Sequence, residues 1–313
     1  MNINKKMVIE STITTYTSCL NSLARDLNFH CDIGMYPDGI QWLEDAEKIY
    51  NVVCARSESL HTRATTLYAV RWVLDVRDAP KQLDEKYRKY CYDLRYKIEE
   101  DYMTKKKSKK QMENWCTMNE LKEILKGLDM CVPKNIQSQQ DYRNLIKFLV
   151  LKLHLSVPLR RDLTDCKIFL DPNEDEIMDK TYNYIILRTA SGVASYVGNV
   201  FKSKKYYGEI TFDWDKSIAK ELFYYYEDLK KFSGTTNLLI VDHAQDQFSK
   251  CNFTRFLNSI FKPYNKRVSA SLLRNIIISD LYKLDAEKQE KLEQFAKICG
   301  HSQKTQYCYY AKV

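Results

Sequence analysis

Two arginines, a lysine, a histidine and a tyrosine, all past the middle of the chain, could together do chemistry at a phosphate. Gly300-His301-Ser302 opens a short helical run near the C-terminal end, and Tyr310 follows His301 by nine residues. A tyrosine hydroxyl can act as a nucleophile. Upstream, Ser269-Ala270-Ser271-Leu272-Leu273-Arg274 opens another helix. Farther upstream, Pro158-Leu159-Arg160-Arg161-Asp162 ends an apolar helix. A guanidinium is planar and can bind oxyanions through paired donors. Between the two arginine stretches, Asn199 to Glu209 reads as strand, basic turn and strand. Lys202 lies at the strand end, and Lys204 and Lys205 at the tip. A lysine can protonate a departing oxygen. Each piece alone also has a plainer role: Arg274 as a surface arginine, the tip lysines as solvated charge, the tail as a packed aromatic helix.

The elements that must position these residues follow from the hydrophobic periods. Residues from about 9 to 104 read as helices. Thr12 to Leu27 carries Ile13, Tyr16, Leu20, Leu23 and Leu27 on one stripe. Gly39 to Val53 is a second helix and Ser57 to Leu74 a third, with Ser59, Thr62 and Arg63 facing outward. Pro80 breaks the chain, and Leu83 to Tyr102 is a fourth. Lys105-Lys106-Lys107-Ser108-Lys109-Lys110 holds five lysines in six residues and reads as a self-repelling linker, either a plain hinge or a phosphate-tracking strap. Beyond it, Thr117 to Leu128 and Gln140 to Leu155 are helical. Short strands follow at Cys166 to Leu170, Tyr184 to Leu187, Val193 to Phe201 and Ile210 to Phe212. Helices resume at Ser217 to Lys230, Asn252 to Phe261, Ser269 to Leu284 and Glu287 to Ile298. The fold class is therefore mainly α with a small β-sheet, α+β. Three segments are expected: a helical domain over 1–104, a lysine-rich linker over 105–112 and an α+β domain over 113–313.

Composition narrows the function classes. The 313 residues carry a formal net charge of +8, with 44% hydrophobic and 29% charged residues, which suits two globular domains. The positive balance fits a polyanionic partner. No run of about 18 apolar residues exists, so no membrane span is expected. The N-terminus lacks the apolar core of a signal peptide, and the ten cysteines form no Cys-x-x-Cys pair. That argues against secretion, a disulfide framework and a zinc site. With eight glycines and no Gly-rich phosphate loop, ATP or NAD binding is not expected. Most of the 23 tyrosines must be packing groups.

In order, Arg160, Lys202, Arg274, His301 and Tyr310 resemble the active-site set of the tyrosine recombinases, of the integrase type. The Pro158-Leu159-Arg160-x-Asp162 form resembles the version in recombinases of large DNA viruses and related mobile elements. Ser271 stands where that family has a histidine, so it can offer a hydrogen bond but no base near neutral pH. The resemblance implies a core-binding, SAM-like DNA-binding domain over 1–104 and a catalytic domain over 113–313. It implies that Tyr310 attacks DNA to form a 3′-phosphotyrosyl bond, with Tyr309 as the neighbouring alternative. Arg160 and Arg274 would hold the phosphate, with Arg161 as the fallback for the first. Asp162 would anchor Arg160, Lys202 would be the acid, and His301 would assist. Lys105, Lys106, Lys107, Lys109, Lys110, Lys204 and Lys205 would contact the DNA backbone. No metal or other cofactor is implied. The expected partner is double-stranded DNA, bound by a homotetramer. The expected location is a cytosol-like reducing compartment, a nucleus or a viral replication site. A type IB-like topoisomerase and an inactive DNA-binding protein of the same fold are the alternatives.

Overall fold

The computed structural model describes residues 10–29, 37–241, 250–282 and 287–311. The chain divides into two compact units, Met1–Thr104 and Lys105–Val313.

The first unit is four helices: α1 (Glu10–Asp26), α2 (Ala46–Arg56), α3 (Leu60–Val76) and α4 (Lys81–Met103). Their apolar stripes meet in one core around Leu20, Leu23, Ile49, Leu67, Val70, Leu74, Tyr87 and Leu94, all 1% exposed or less. Each such side chain contributes roughly 1.5–3 kcal/mol by leaving water. The second helix starts later than its apolar pattern predicts. Asp45 accepts a hydrogen bond from the Lys48 N–H and so caps α2 at Ala46, and Gln41–Leu43 forms a separate 3₁₀ turn. Arg63 does not simply face solvent either. It donates to the carbonyls of Ser57 and Cys54 and ties the end of α2 to the start of α3.

The second unit opens with α5 (Lys109–Asn114), α6 (Met118–Met130) and α7 (Gln139–Ser156). Ser108 and Gln111 form a capping box, so the lysine run is half linker and half helix. A four-stranded sheet follows: β1 (Cys166–Leu170), β2 (Asn183–Arg188), β3 (Val193–Gly198), a short α8 (Lys204–Tyr207) and β4 (Ile210–Asp213). The strands lie in sequence order, with β1 parallel to β2 and the remaining pairs antiparallel. One face packs Ile185, Leu187, Ala194 and Tyr196 into the main core, and the other carries Phe169, Tyr184 and Ile186. Then come α9 (Lys216–Ser233), α10 (Lys250–Phe261), α11 (Ala270–Leu281), α12 (Glu287–Ile298) and α13 (Gln303–Thr305), which continues as a π-helical turn over Gln306–Tyr310. Helices around one small sheet make this an α+β chain, as the periods predict. The last two residues of the helix expected over Ser269 to Leu284 lie outside the described residues.

Candidate active site

Four of the five sequence-predicted residues converge on the end of α7, the buried helix α11 and the C-terminal turn. Their positions follow from local rules. α7 cannot continue past Ser156, because Pro158 forces Val157 into an extended conformation (φ −134°, ψ 115°). The chain turns away and presents the Pro158 carbonyl to the interior. Two donors from distant segments meet there: Nε of Arg274 at 2.9 Å and the Cys299 thiol at 3.3 Å. Burial pushes the Cys299 thiol up to about 11, so it stays a donor.

Ser269 caps α11 by accepting from the Leu272 N–H at 3.2 Å. The helix is apolar on nearly every side, yet Arg274 sits within it at 2% exposure. Its Nε is fixed on Pro158, which sets the plane of the guanidinium, while its Nη2 is buried with no hydrogen-bond partner among the described residues. Nη1 of Arg160 is buried and unpartnered as well. Asp162 does not pair with the Arg160 guanidinium. Its carboxylate accepts from the Arg160 main-chain N–H at 3.2 Å, so it anchors backbone rather than charge. Burial raises the Asp162 carboxyl, and Arg274 and Arg160 pull it back down.

The histidine lies where one helix ends and the expected short helical run begins. Gly300 has φ +64°, its N–H bonds to the Lys297 carbonyl, and the His301 N–H reaches the Ala296 carbonyl at 3.0 Å. That is a Schellman closure of α12, which favours glycine. His301 is 7% exposed, and both ring nitrogens lack a hydrogen-bond partner among the described residues. Burial lowers its pKa to about 4, helped by Arg274 and Arg160. The ring stacks on Tyr310 with centroids 4.8 Å apart and an interplanar angle of 23°. Arg274 lies 5.4 Å from the centroid of the same tyrosine. Ser302 caps α13 by accepting from the Thr305 N–H, and Ser279 on α11 donates to the Tyr310 carbonyl at 3.1 Å. Tyr310 is half-buried; Tyr309 beside it is 40% exposed.

Lys202 is exposed and does not sit at a strand end. β3 stops at Gly198 because the Asn183 side chain takes over the next main-chain partners. Its Oδ1 accepts from the N–H groups of Asn199 and Val200 at 2.8 and 2.7 Å. Its Nδ2 donates to the carbonyls of Asp162 and Val200 at 2.8 and 3.1 Å. This fully buried amide therefore joins the Arg160 loop to the segment that leads to Lys202. The same turn touches the histidine segment. A Cβ on Gly300 would lie 3.0 Å from the Ser203 Cβ and 3.3 Å from the Phe201 ring. Sequence patterns missed Asn183; a lone amide opening the apolar run Tyr184 to Leu187 was the available signal.

Ser271 is exposed on the first turn of α11, and its side chain makes no hydrogen bond among the described residues. Arg161 is exposed, and Lys204 and Lys205 are exposed on α8 beside Tyr206, which is 83% exposed. Two lysines of the run rest on aromatic faces: Lys105 lies 3.0 Å above the Tyr307 ring and Lys107 lies 4.6 Å above Trp115. Lys106, Lys109 and Lys110 are exposed.

No protein-family model matches the chain, and no curated protein does. Among solved structures, the crystal structure of XerA recombinase is similar, with a TM-score of 0.43 and 15% sequence identity, over 98% of this chain and 88% of that chain. At that level of likeness the chemistry of the site has to be argued from its own geometry.

Proposed function

We propose that the chain is a tyrosine recombinase that cuts and rejoins duplex DNA through a 3′-phosphotyrosyl bond. One observation carries this reading. Arg274 and a neutral imidazole, both buried with nitrogens unpartnered among the described residues, lie against a single tyrosine, and Arg160, whose Nη1 is likewise buried and unpartnered, lies close enough for its charge to act on that imidazole. Unsatisfied buried donors cost a folded protein free energy, and an oxyanion held among them recovers it. A DNA phosphodiester is such an anion, and negative charge grows on its nonbridging oxygens during attack.

In this reading the Tyr310 hydroxyl oxygen bonds to phosphorus, and the bond from phosphorus to the 5′-oxygen breaks. The phenol gives its proton to solvent water, and Lys202 supplies one to the 5′-oxygen. Arg160 and Arg274 hold the nonbridging oxygens through paired donors. His301 is neutral near pH 7 and offers one N–H to the same oxygens. Attack by a second 5′-hydroxyl reverses the step on a new strand. The first unit would act as the core-binding domain, and four protomers would assemble on two duplexes. Pro158-Leu159-Arg160-x-Asp162 supports the variant of large DNA viruses and mobile elements. A reducing compartment suits the eight cysteines whose side chains are described, none of which forms a disulfide.

The test is a pool of random-sequence duplexes, each nicked so that the 5′-fragment leaves after cleavage. The wild-type chain should give a denaturant-stable protein–DNA adduct whose linked peptide contains Tyr310. Tyr310→Phe should bind DNA and give none. Arg274→Ala should lower adduct formation about 100- to 1000-fold, the usual cost of losing one oxyanion donor. An adduct that persists in Tyr310→Phe would overturn the assignment. Relaxation of supercoils without strand exchange would make the chain a type IB-like topoisomerase. Binding without either would make it a DNA-binding protein.

A further inference from the structure

His154 lies in the last turn of α7 at 1% exposure, six residues before Arg160 in sequence and against the arginine loop in space. Its two ring nitrogens face two carbonyl oxygens. Nδ1 is 2.8 Å from the Val150 carbonyl, and Nε2 is 3.3 Å from the Arg160 carbonyl. A carbonyl only accepts, and a neutral imidazole has a single N–H. The neutral ring can therefore satisfy one oxygen while it turns a lone pair toward the other. Only the imidazolium can donate to both. The shorter contact marks Val150 as the oxygen served first, which leaves the Arg160 main chain loosely held.

The surroundings decide which form is present. α7 contributes the Val150 carbonyl, and α10 contributes the Phe253 ring, stacked at 6.0 Å. The arginine loop contributes the Arg160 carbonyl, next to Asp162, which bonds that residue's N–H. α11 contributes the charge that bears on the ring, the Arg274 guanidinium. Burial disfavours the imidazolium, and Arg274 disfavours it further. With the site empty, His154 is neutral and one hydrogen bond short.

We infer that His154 is a positioning residue that takes up a proton when an anion occupies the Arg160–Arg274 pair, and so locks the Arg160 main chain. The inference rests on reading that pair as an oxyanion site. The arriving negative charge offsets the guanidiniums, the ring gains a proton from solvent, and Nε2–H closes on the Arg160 carbonyl. His154 touches no substrate in this scheme. It acts through Arg160, whose main chain it would fix at one end while Asp162 fixes the other.

The experiment uses the full chain with ¹⁵N-labelled histidine and inorganic sulfate, which stays a dianion across the pH range used. Nitrogen shifts of the imidazole report whether one or both nitrogens carry a proton. The His154 signals are assigned by their loss in His154→Gln. Should that variant not fold, they are assigned by their survival when the other four of the five histidines are replaced. Sulfate should raise the midpoint of the His154 titration by about one to three pH units, the range for an opposite charge brought nearby. Arg160→Ala or Arg274→Ala should abolish that response. Sulfate binding that depends on both arginines but leaves the His154 titration unmoved overturns this inference alone. Absence of arginine-dependent sulfate binding overturns the oxyanion site and this inference with it.

Discussion

Arg274 and His301 are each less than a tenth exposed, and each has a donor atom that meets nothing. Such groups destabilise a fold unless something fills the gap, which is why they mark a site rather than a core. His301 makes the cost measurable. Its pKa is about 4 in the folded chain against an ordinary 6.5, because burial, Arg274 and Arg160 all oppose a charge there. Between those values the unfolded chain binds a proton that the folded chain does not. Stability should therefore be full above 6.5, fall as the pH drops toward 4, and lose nothing further from this group below that. The loss is about 3 kcal/mol. Urea melts at several pH values should show His301→Gln losing that much less stability across the same window; parallel profiles would mean the ring is not held neutral. His154 is shifted the same way but is present in both proteins. At this scale the residues that gather at the candidate site were readable because arginine, histidine and tyrosine announce themselves by type, order and spacing. Asn183 and His154 were not. An amide at a strand start and a histidine in an apolar helix have the same letters whether they tie loops together or merely fill space.

Among the elements, the closure of α12 does the most positional work with one residue. Gly300 needs φ +64°, and a Cβ there would crowd Ser203 and Phe201 on the Lys202 turn. Gly300→Ala should cost about 1–2 kcal/mol of stability, from left-handed strain and a contact tighter than carbon atoms accept. It should also lower DNA cleavage more than it lowers folding, since it shifts His301 and the Lys202 turn together. Thermal melts beside adduct yield check this; wild-type cleavage in a destabilised variant would separate the closure from the site. The helix and strand types were legible from hydrophobic period, but three boundaries were not. Asp45, Ser108 and Asn183 each end or start an element with a side-chain hydrogen bond to main chain, which periodicity does not weigh. The helical run after the histidine was legible, but the closure of α12 at Gly300 that precedes it was not.

At the scale of the molecule, each unit carries its own hydrophobic core, one centred on α3 and α4 and the other wrapped around the sheet. A fragment of residues 105–313 should therefore fold alone, melt cooperatively and keep sulfate binding, while its affinity for DNA duplexes falls for want of the first unit. Calorimetry and filter binding on the fragment test this, and undiminished affinity would remove the DNA-binding role proposed for residues 1–104. The Pro158 carbonyl adds a consequence in time rather than space. Its two donors come from positions 116 and 141 residues further along the chain. Contacts of that separation close late, because a long loop must be ordered before it is rewarded. During synthesis, the first arginine waits for the second, and both wait for the helix that ends just before Cys299. A chain still leaving the ribosome thus has no assembled pocket, and the strand cleavage proposed for it would arrive only with a fully folded second unit.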